Sequence, residues 1–351
     1  MRVNGELKSK MKAGWAKLSG NSLTAITLIL VGMLIIVSIG SEYFFTLFNL
    51  QSLVRDLAFI AMIAIGMSLL LLIGELDLSV GNIATLCGVM GGLMMVEGNV
   101  NPYLAFVLAL LLGIGLGALN GLVISKLKLN AMVATIGMSG VYGGVVLAVT
   151  KGRAIPNIPE EIHFLGKGNI AYIPVPFIIT LILLACALFF VKKTRTGRYV
   201  YAIGNSKETS ALLGINIDRI RILLYSIVGF ISAMAGMLYV ARLGSAQSSI
   251  GGNWAMNAIA SSVIGGVSLT GGIGSPLGAL IGAAVICVIQ NAIVLFGVNM
   301  YVQSAVSGVV TVLAISFSSI SEMMKQRNER AAEFEKQKKM RNDKKEEEKE
   351  E

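Results

Sequence analysis

The chain has 351 residues, 55% of them hydrophobic and 14% charged, with a mean hydropathy of +0.75; an ordinary soluble domain carries about 25% charged residues. Residues 1–22 hold five bases and one acid, residues 322–351 hold ten of each, and only 14 bases and 9 acids remain for the long stretch between. That composition excludes a soluble enzyme, a disordered chain and a secreted disulfide scaffold, and it requires an integral membrane protein. The net charge of +9 sits at the ends and in loops. This is the pattern of membrane orientation, not of a nucleic-acid-binding stripe, so lipid and not nucleic acid is the expected surrounding.

Ten runs approach the length of about 20 apolar residues that a spanning helix needs. They are Leu23–Gly40, Leu57–Gly74, Val80–Val96, Tyr103–Ser125, Ala131–Val149, Ala171–Val191, Ile222–Ala241, Ala258–Gly272, Pro276–Gly297 and Met300–Ile320. The first is read as an uncleaved span, because no small-residue cleavage site follows it. The expected protein is all-α, with a basic cytoplasmic N-terminus at 1–22, a transmembrane domain at 23–321 and a charged cytoplasmic tail at 322–351.

An even number of spans puts both termini on one side. With that side inside, the inner segments carry Lys8, Lys10, Lys12, Lys17, Lys126, Lys128 and the seven bases between Lys192 and Arg221. The outer segments carry only Arg55, Lys151, Arg153, Lys167 and Arg242. The bias orients the chain N-in and C-in, although eight or twelve spans would pass the same test. The outer loop Thr150–Ile170 contains Pro156 and Pro159 and is expected to fold over the external mouth. In the inner loop 192–221, Asn205 followed by Glu208 approximates a capping box and Gly214 is a stop signal. A short helix over Ser206–Leu213 is therefore expected there.

Cys87, Cys186 and Cys287 lie inside apolar runs without CxxC spacing and are read as small packing residues. The single histidine, His163, makes neither a zinc site nor a triad. No Gly-x-x-x-x-Gly-Lys-Ser/Thr occurs, so the chain carries no P-loop. No catalytic residue and no metal site are expected.

Self-similarity is the most informative feature. Residues 73–81 read Ile-Gly-Glu-Leu-Asp-Leu-Ser-Val-Gly and residues 264–272 read Ile-Gly-Gly-Val-Ser-Leu-Thr-Gly-Gly. Each half also has a glycine ladder at four-residue spacing: Gly113, Gly117 and Gly121, then Gly274, Gly278 and Gly282. Small residues let helices approach closely in lipid. Glycine-interrupted apolar segments in two halves of a chain point to a transport path, because a break survives only in protein or beside a wet cavity. The bland alternative is a pair of inter-helix turns.

Glu75 and Asp77 stand out within the first repeat segment, since an Asp at a bilayer centre costs about 2.5–3.5 kcal/mol on insertion scales. Asp77 is read either as an N-cap of the third span or as part of a path. The candidate path residues are Gly74, Glu75, Asp77, Ser79, Asn82, Asn120, Gly265, Ser268, Thr270, Gln290 and Asn291. Neutral amides and hydroxyls suit a sugar, which offers hydroxyls and no charge.

Several motifs carry a family resemblance: Asp77-Leu78-Ser79-Val80-Gly81, Asn120-Gly121-Leu122 followed by Lys126, Ala202-Ile203-Gly204 through Gly214-Ile215, and Gly265-Gly266-Val267-Ser268 with Gly271-Gly272. From about Thr46 to Ser321 the chain resembles the permease subunits of bacterial ABC importers for monosaccharides of the ribose, galactose and xylose type. The resemblance implies a type II-like permease with an internal repeat, working as a homodimer. It also implies a cytoplasmic ABC ATPase, which binds ATP and magnesium while this chain binds no cofactor, and an extracytoplasmic solute-binding protein. Gly204, Asn205, Ser206, Glu208, Ala211 and Gly214 match the family's ATPase-coupling segment. Glu75 stands where many members have Gly, and Thr209-Ser210 where members often have Ala-Ala. A nucleoside importer of the same family, an ion-coupled secondary carrier and a membrane scaffold are the alternatives.

Overall fold

The computed structural model describes residues 22–297, with positions 299, 305, 308, 309 and 312 beyond them. The basic N-terminus, nearly all of the tenth expected span and the charged tail lie outside the described residues. Among the described residues, seven helices are long and apolar enough to cross a membrane. They are α1 (Ser22–Gly40), α2 (Leu47–Leu72), α4 (Pro102–Leu127), α5 (Ala131–Thr150), α7 (Val175–Lys193), α10 (Ile217–Leu243) and α12 (Pro276–Leu295). Two apolar helices are shorter, α3 (Val80–Val96) and α11 (Trp254–Ile264). Side-chain caps start most of them: Thr46, Asn101, Asn130, Asn216 and Ser275 each accept from a backbone N–H of the first turn, where lipid offers no partner.

Boundaries moved where tertiary contacts overrode hydropathy. The second span starts ten residues early, at Leu47, and so includes the polar run from Asn49 to Asp56. Its polar side chains find partners on other elements: Asn49 with Asn291, Arg55 with Asn169, and Asp56 with Arg242. The eighth expected span, Ala258–Gly272, ends at Ile264 instead. Gly266, Gly271 and Gly272 have φ of +81°, +95° and +76°, left-handed values that no helix continues through. Cys186 is exposed, whereas Cys87 and Cys287 are buried as expected.

The loops also differ. The loop after α5 holds a 3-10 turn (Glu160–Ile162), α6 (His163–Lys167) and a two-residue hairpin, β1 (Asn169–Ile170) with β2 (Ile173–Pro174), so the fold is not purely helical. Ala171 and Tyr172 at its tip have φ of +48° and +70°, the backbone that a two-residue hairpin demands. The loop after α7 folds into two helices where one was expected, α8 (Arg195–Asn205) and α9 (Lys207–Leu212). Asn205 is the last residue of α8, and Ser206 is the N-cap of α9, accepting from the Thr209 N–H at 3.2 Å. The expected Asn205 capping box is thus displaced by one residue.

The long α10 lies at the centre of the bundle and packs most extensively on α4. Along α10, Arg221 meets Glu75, the Tyr225 hydroxyl reaches the Leu76 carbonyl and Gly236 packs on Ala84. The rise from Arg221 to Gly236 is about 22 Å. The chain therefore climbs as non-helical backbone from the end of α2 to the start of α3, well inside the bundle. Residues 245–253 come back from the opposite end beside α3, where Ala246 packs on Gly92 and Gly251 on Gly81. The short helices α3 and α11 begin there. At 17 and 11 residues they are shorter than the seven long helices.

Both glycine ladders mediate close approach. Gly113, Gly117 and Gly121 pack on Gly229, Tyr225 and Ile222 of α10, while Gly278 and Gly282 pack on Gly265 and Ser261 at the end of α11. A side chain at Gly117 would collide with the Tyr225 carbonyl, whereas Gly115 faces open space. Gly117→Leu is expected to cost about 2–3 kcal/mol by overpacking and to lower the thermal midpoint in detergent. Gly115→Leu should leave that midpoint unchanged.

Candidate functional site

Three pieces of chain meet at the end of the bundle that carries α8 and α9. The Gly272 N–H donates to the Leu72 carbonyl at 2.9 Å. Gly204 of α8 lies so close to both Leu72 and Gly272 that any Cβ there would overlap their backbone. Gly74, at φ +70°, faces the Thr270 carbonyl, and a Cβ would come within 2.9 Å of it. The two repeated segments therefore touch each other, and α8 is pressed against their junction. Ser268 and Thr270 hydrogen-bond to each other at 2.9 Å in the loop after α11, and Gly265 supplies the contact with α12.

Glu75 is the electrostatic centre of this end. Its carboxylate is 4% exposed and accepts from Arg221 Nε and Nη2 at 2.9 and 2.7 Å and from Lys207 Nζ at 2.9 Å. Arg221 also donates to Asp218 at 3.0 Å and to Ser125 at 3.2 Å. One carboxylate thus ties the α2–α3 segment to α10, to α4 and to the first residue of α9. The two-pronged Arg contact matches the planar carboxylate and is strong when shielded from water.

Asp77 is not an N-cap of α3. Ser79 occupies that position and makes no side-chain cap bond. Asp77 and Ser79 are fully buried. Asp77 Oδ1 accepts from the Ser79 N–H at 2.7 Å and the Ser79 hydroxyl at 2.6 Å. Asn120 of α4 donates to Ser79 Oγ and Asp77 Oδ2 at 2.8 and 3.2 Å, and the Tyr142 hydroxyl of α5 donates to Asn120 Oδ1 at 2.8 Å. Asn82 donates to Ser139 Oγ of α5 at 2.7 Å. Asp77, Ser79 and Asn120 form a closed hydrogen-bonded knot that holds the climbing segment against α4 and α5.

Gln290 and Asn291 lie elsewhere, beside a cavity of about 660 Å³ at the hairpin end. Asn291 and Asn49 exchange amide hydrogen bonds at 2.8 and 3.2 Å. The cavity reaches inward to Trp254, the first residue of α11. Its wall holds Phe59, Tyr239 and Trp254, with Phe59 and Trp254 stacked at 6.2 Å and Tyr239 edge-on to both. The Arg242 guanidinium sits 5.5 Å over Phe59 and pairs with Asp56. Sequence reading placed Arg55 and Asp56 before the second span and so missed this wall. The available signal was helical spacing, which sets Asp56 one turn from Phe59 and Ile60.

The coupling candidates project from the opposite end. Glu208 and Ala211 are exposed, Gly214 has φ +78°, and Leu212 and Leu213 are 88% and 75% exposed. Only Ser210 of α9 is buried.

Among the described residues, seven helices long enough to span a bilayer, with a cavity at one end and the exposed α9 at the other, define a polytopic membrane protein. The sequence comparisons narrow that class. Residues 49–315 match the family described as the permease component of the branched-chain amino acid transport system, and the chain belongs to that family. It is 37% identical over 285 residues to the ribose import permease protein RbsC of Bacillus subtilis, covering 81% of this chain and 88% of that protein. It is 36% identical to RbsC of Escherichia coli K12, covering 82% and 90%. The autoinducer 2 import system permease protein LsrC of Photorhabdus luminescens is 32% identical, with 80% and 85% covered. A solved structure described as an ABC transporter of metal-chelate type, in an inward-facing conformation, superimposes with a TM-score of 0.51 at 17% identity, over 85% of this chain and 98% of that one. That likeness concerns the fold alone.

Glu75→Gln removes the shielded carboxylate from Arg221, 14% exposed, and leaves it Asp218, whose side chain is 57% exposed, as its remaining charge partner. The expected loss is about 3 kcal/mol, read as thermal unfolding in detergent. Lys207→Gln, whose side chain is 45% exposed, should cost about 0.5 kcal/mol.

Proposed function

We propose that the chain is the membrane-spanning subunit of an ATP-driven importer that moves a monosaccharide across the cell membrane by alternating access. The carrying observation is the tie from α9 through Lys207 to buried Glu75 and on to Arg221 of α10. A chain with no P-loop of its own needs a part that receives force from a motor, and α9 presents two apolar side chains outward from the bundle to such a partner. The relatives named for ribose and autoinducer 2 import support a small polyhydroxy cargo.

In this reading the α8–α9 end faces the cytoplasm, the chain crosses ten times with both termini inside, and the two touching glycine segments are counterparts of an internal repeat. Two copies pair around the path. A solute-binding protein docks on the hairpin end, including Thr150–Ile170. The ATPase holds ATP and magnesium and grips α9. Displacement of α9 pulls on Glu75, while α8 pushes on the Leu72–Gly272 junction. The base of α2, the base of α10 and the loop before α12 then move as one block. The Asp77–Ser79–Asn120 knot keeps the climbing segment rigid enough to carry that motion toward α3. The cargo passes along Gln290 and Asn291 and the glycine-broken segments.

Co-reconstituted with its ATPase and binding protein, the chain is expected to accumulate labelled ribose or a related monosaccharide only when ATP is present. Accumulation by the chain alone on an ion gradient would replace the proposal with a secondary carrier. Leu212→Glu combined with Leu213→Glu should weaken ATPase co-purification at least about ten-fold, with the thermal midpoint of the chain unchanged. Glu208→Lys should weaken it less. If both variants retain the ATPase fully, α9 is not the grip.

A further inference from the structure

The cavity at the hairpin end has a chemistry of its own. It extends from Thr46 to Trp254, where the first turn of α11 closes it. Its volume, about 660 Å³, falls in the range of small-molecule sites, roughly 300–1,000 Å³. Its lining combines three kinds of group that lipid does not satisfy together. The first is an aromatic wall, Phe59–Trp254–Tyr239, fixed by mutual edge and stacking contacts. The second is a set of neutral amides from α2, α11 and α12. The third is the carboxylate of Asp56, whose Oδ1 is paired with Arg242.

Some of this hydrogen-bonding capacity is unspent. The Asn257 amide, on the first turns of α11, has no partner among the described residues, and neither has Asp56 Oδ2. A half-open cavity of mixed apolar and polar lining, with unspent donors and acceptors, fits a ligand that supplies many hydroxyls and an apolar ring face. Aromatic faces favour the C–H surface of such a ligand, because burying it needs no hydrogen bonds. A zwitterion fits poorly. The guanidinium that would hold its carboxylate is already paired with Asp56 and stacked over Phe59 and Tyr239.

Resting on the importer reading above, we infer that this cavity is a monosaccharide-binding station of the permease itself, which takes the sugar before it passes the start of α11. Asn257 and Asp56 hold the ring hydroxyls, and Trp254 contacts the apolar face of the ring. The binding is weak and reversible, as transit requires.

The chain has two tryptophans, so Trp15→Phe leaves Trp254 as the sole reporter. The full-length Trp15→Phe chain in lipid nanodiscs, without binding protein, is titrated with D-ribose, D-galactose and L-leucine while Trp254 fluorescence is followed. A saturable change with a sugar and none with leucine is expected. Asn257→Leu, with the same number of side-chain heavy atoms but without the amide, should raise the half-saturating sugar concentration about ten-fold. It should also slow sugar uptake by the full complex while binding-protein-stimulated ATP hydrolysis continues. If ATP hydrolysis is lost as well, the variant is misfolded and the Trp15→Phe titration decides alone. A flat sugar titration beside normal ATP-driven ribose uptake overturns the station and leaves the importer standing. A response to leucine alone, with leucine and not sugar accumulated, overturns both.

Discussion

A chain that breaks its helices inside a membrane must satisfy each freed backbone N–H and C=O from within, because lipid offers no partner. This constraint shapes the molecule. Where the chain climbs from α2 to α3, the Leu76 carbonyl is met by the Tyr225 hydroxyl, the Leu78 N–H by Thr135 and the Ser79 N–H by Asp77. Where it returns before α11, Ala246 forms an antiparallel bridge with Ile155 and the Gly251 N–H donates to Thr85. The buried polar side chains near the breaks are the hydrogen-bond partners that permit them. Asp77 is the clearest case: a carboxylate that looks expensive in sequence is surrounded by three donors and serves the backbone beside it.

The same constraint accounts for the glycines. Non-helical backbone inside a bundle must lie against other backbone, and a Cβ at Gly81, Gly204 or Gly251 would occupy the neighbouring chain. Close approach places the two glycine segments in contact and fixes α8 on their junction. The result is a stiff end at which a push on α8 or α9 is shared by several helices at once. Glu75 adds charge to that geometry. Its partners come from α9 and α10, so separating these elements would leave the shielded Glu75 carboxylate without its cations, and that penalty opposes their moving apart. The opposite end has looser construction, with an open cavity, polar side chains that keep unspent capacity and a hairpin lid region.

Much was legible in the sequence. Hydropathy located nine of the segments within the described residues, because apolar length is a local property. The glycine ladders were read as close-packing surfaces and are so. The short helix expected over Ser206–Leu213 from the Asn205–Glu208 spacing and Gly214 is present as α9, with Ser206 and not Asn205 as its cap. Misreadings occurred where long-range partners override local polarity. The run Asn49–Asp56 looks like a loop until Asn291, Asn169 and Arg242 are brought beside it. Asp77 looks like a cap until Asn120 and Tyr142 close around it.

The sequence by itself determined that the chain lives in a membrane, which of its stretches are apolar enough to cross it, and where glycine would let backbones meet. Those are consequences of composition and of spacing along one strand of covalent chain. Only the tertiary structure decided that α11 packs beside α2, that Glu75 joins Lys207 and Arg221, and that Phe59, Tyr239 and Trp254 share one wall. Each of those pairings spans a large separation in sequence, and its free energy exists only once α10 has brought the two halves of the chain together.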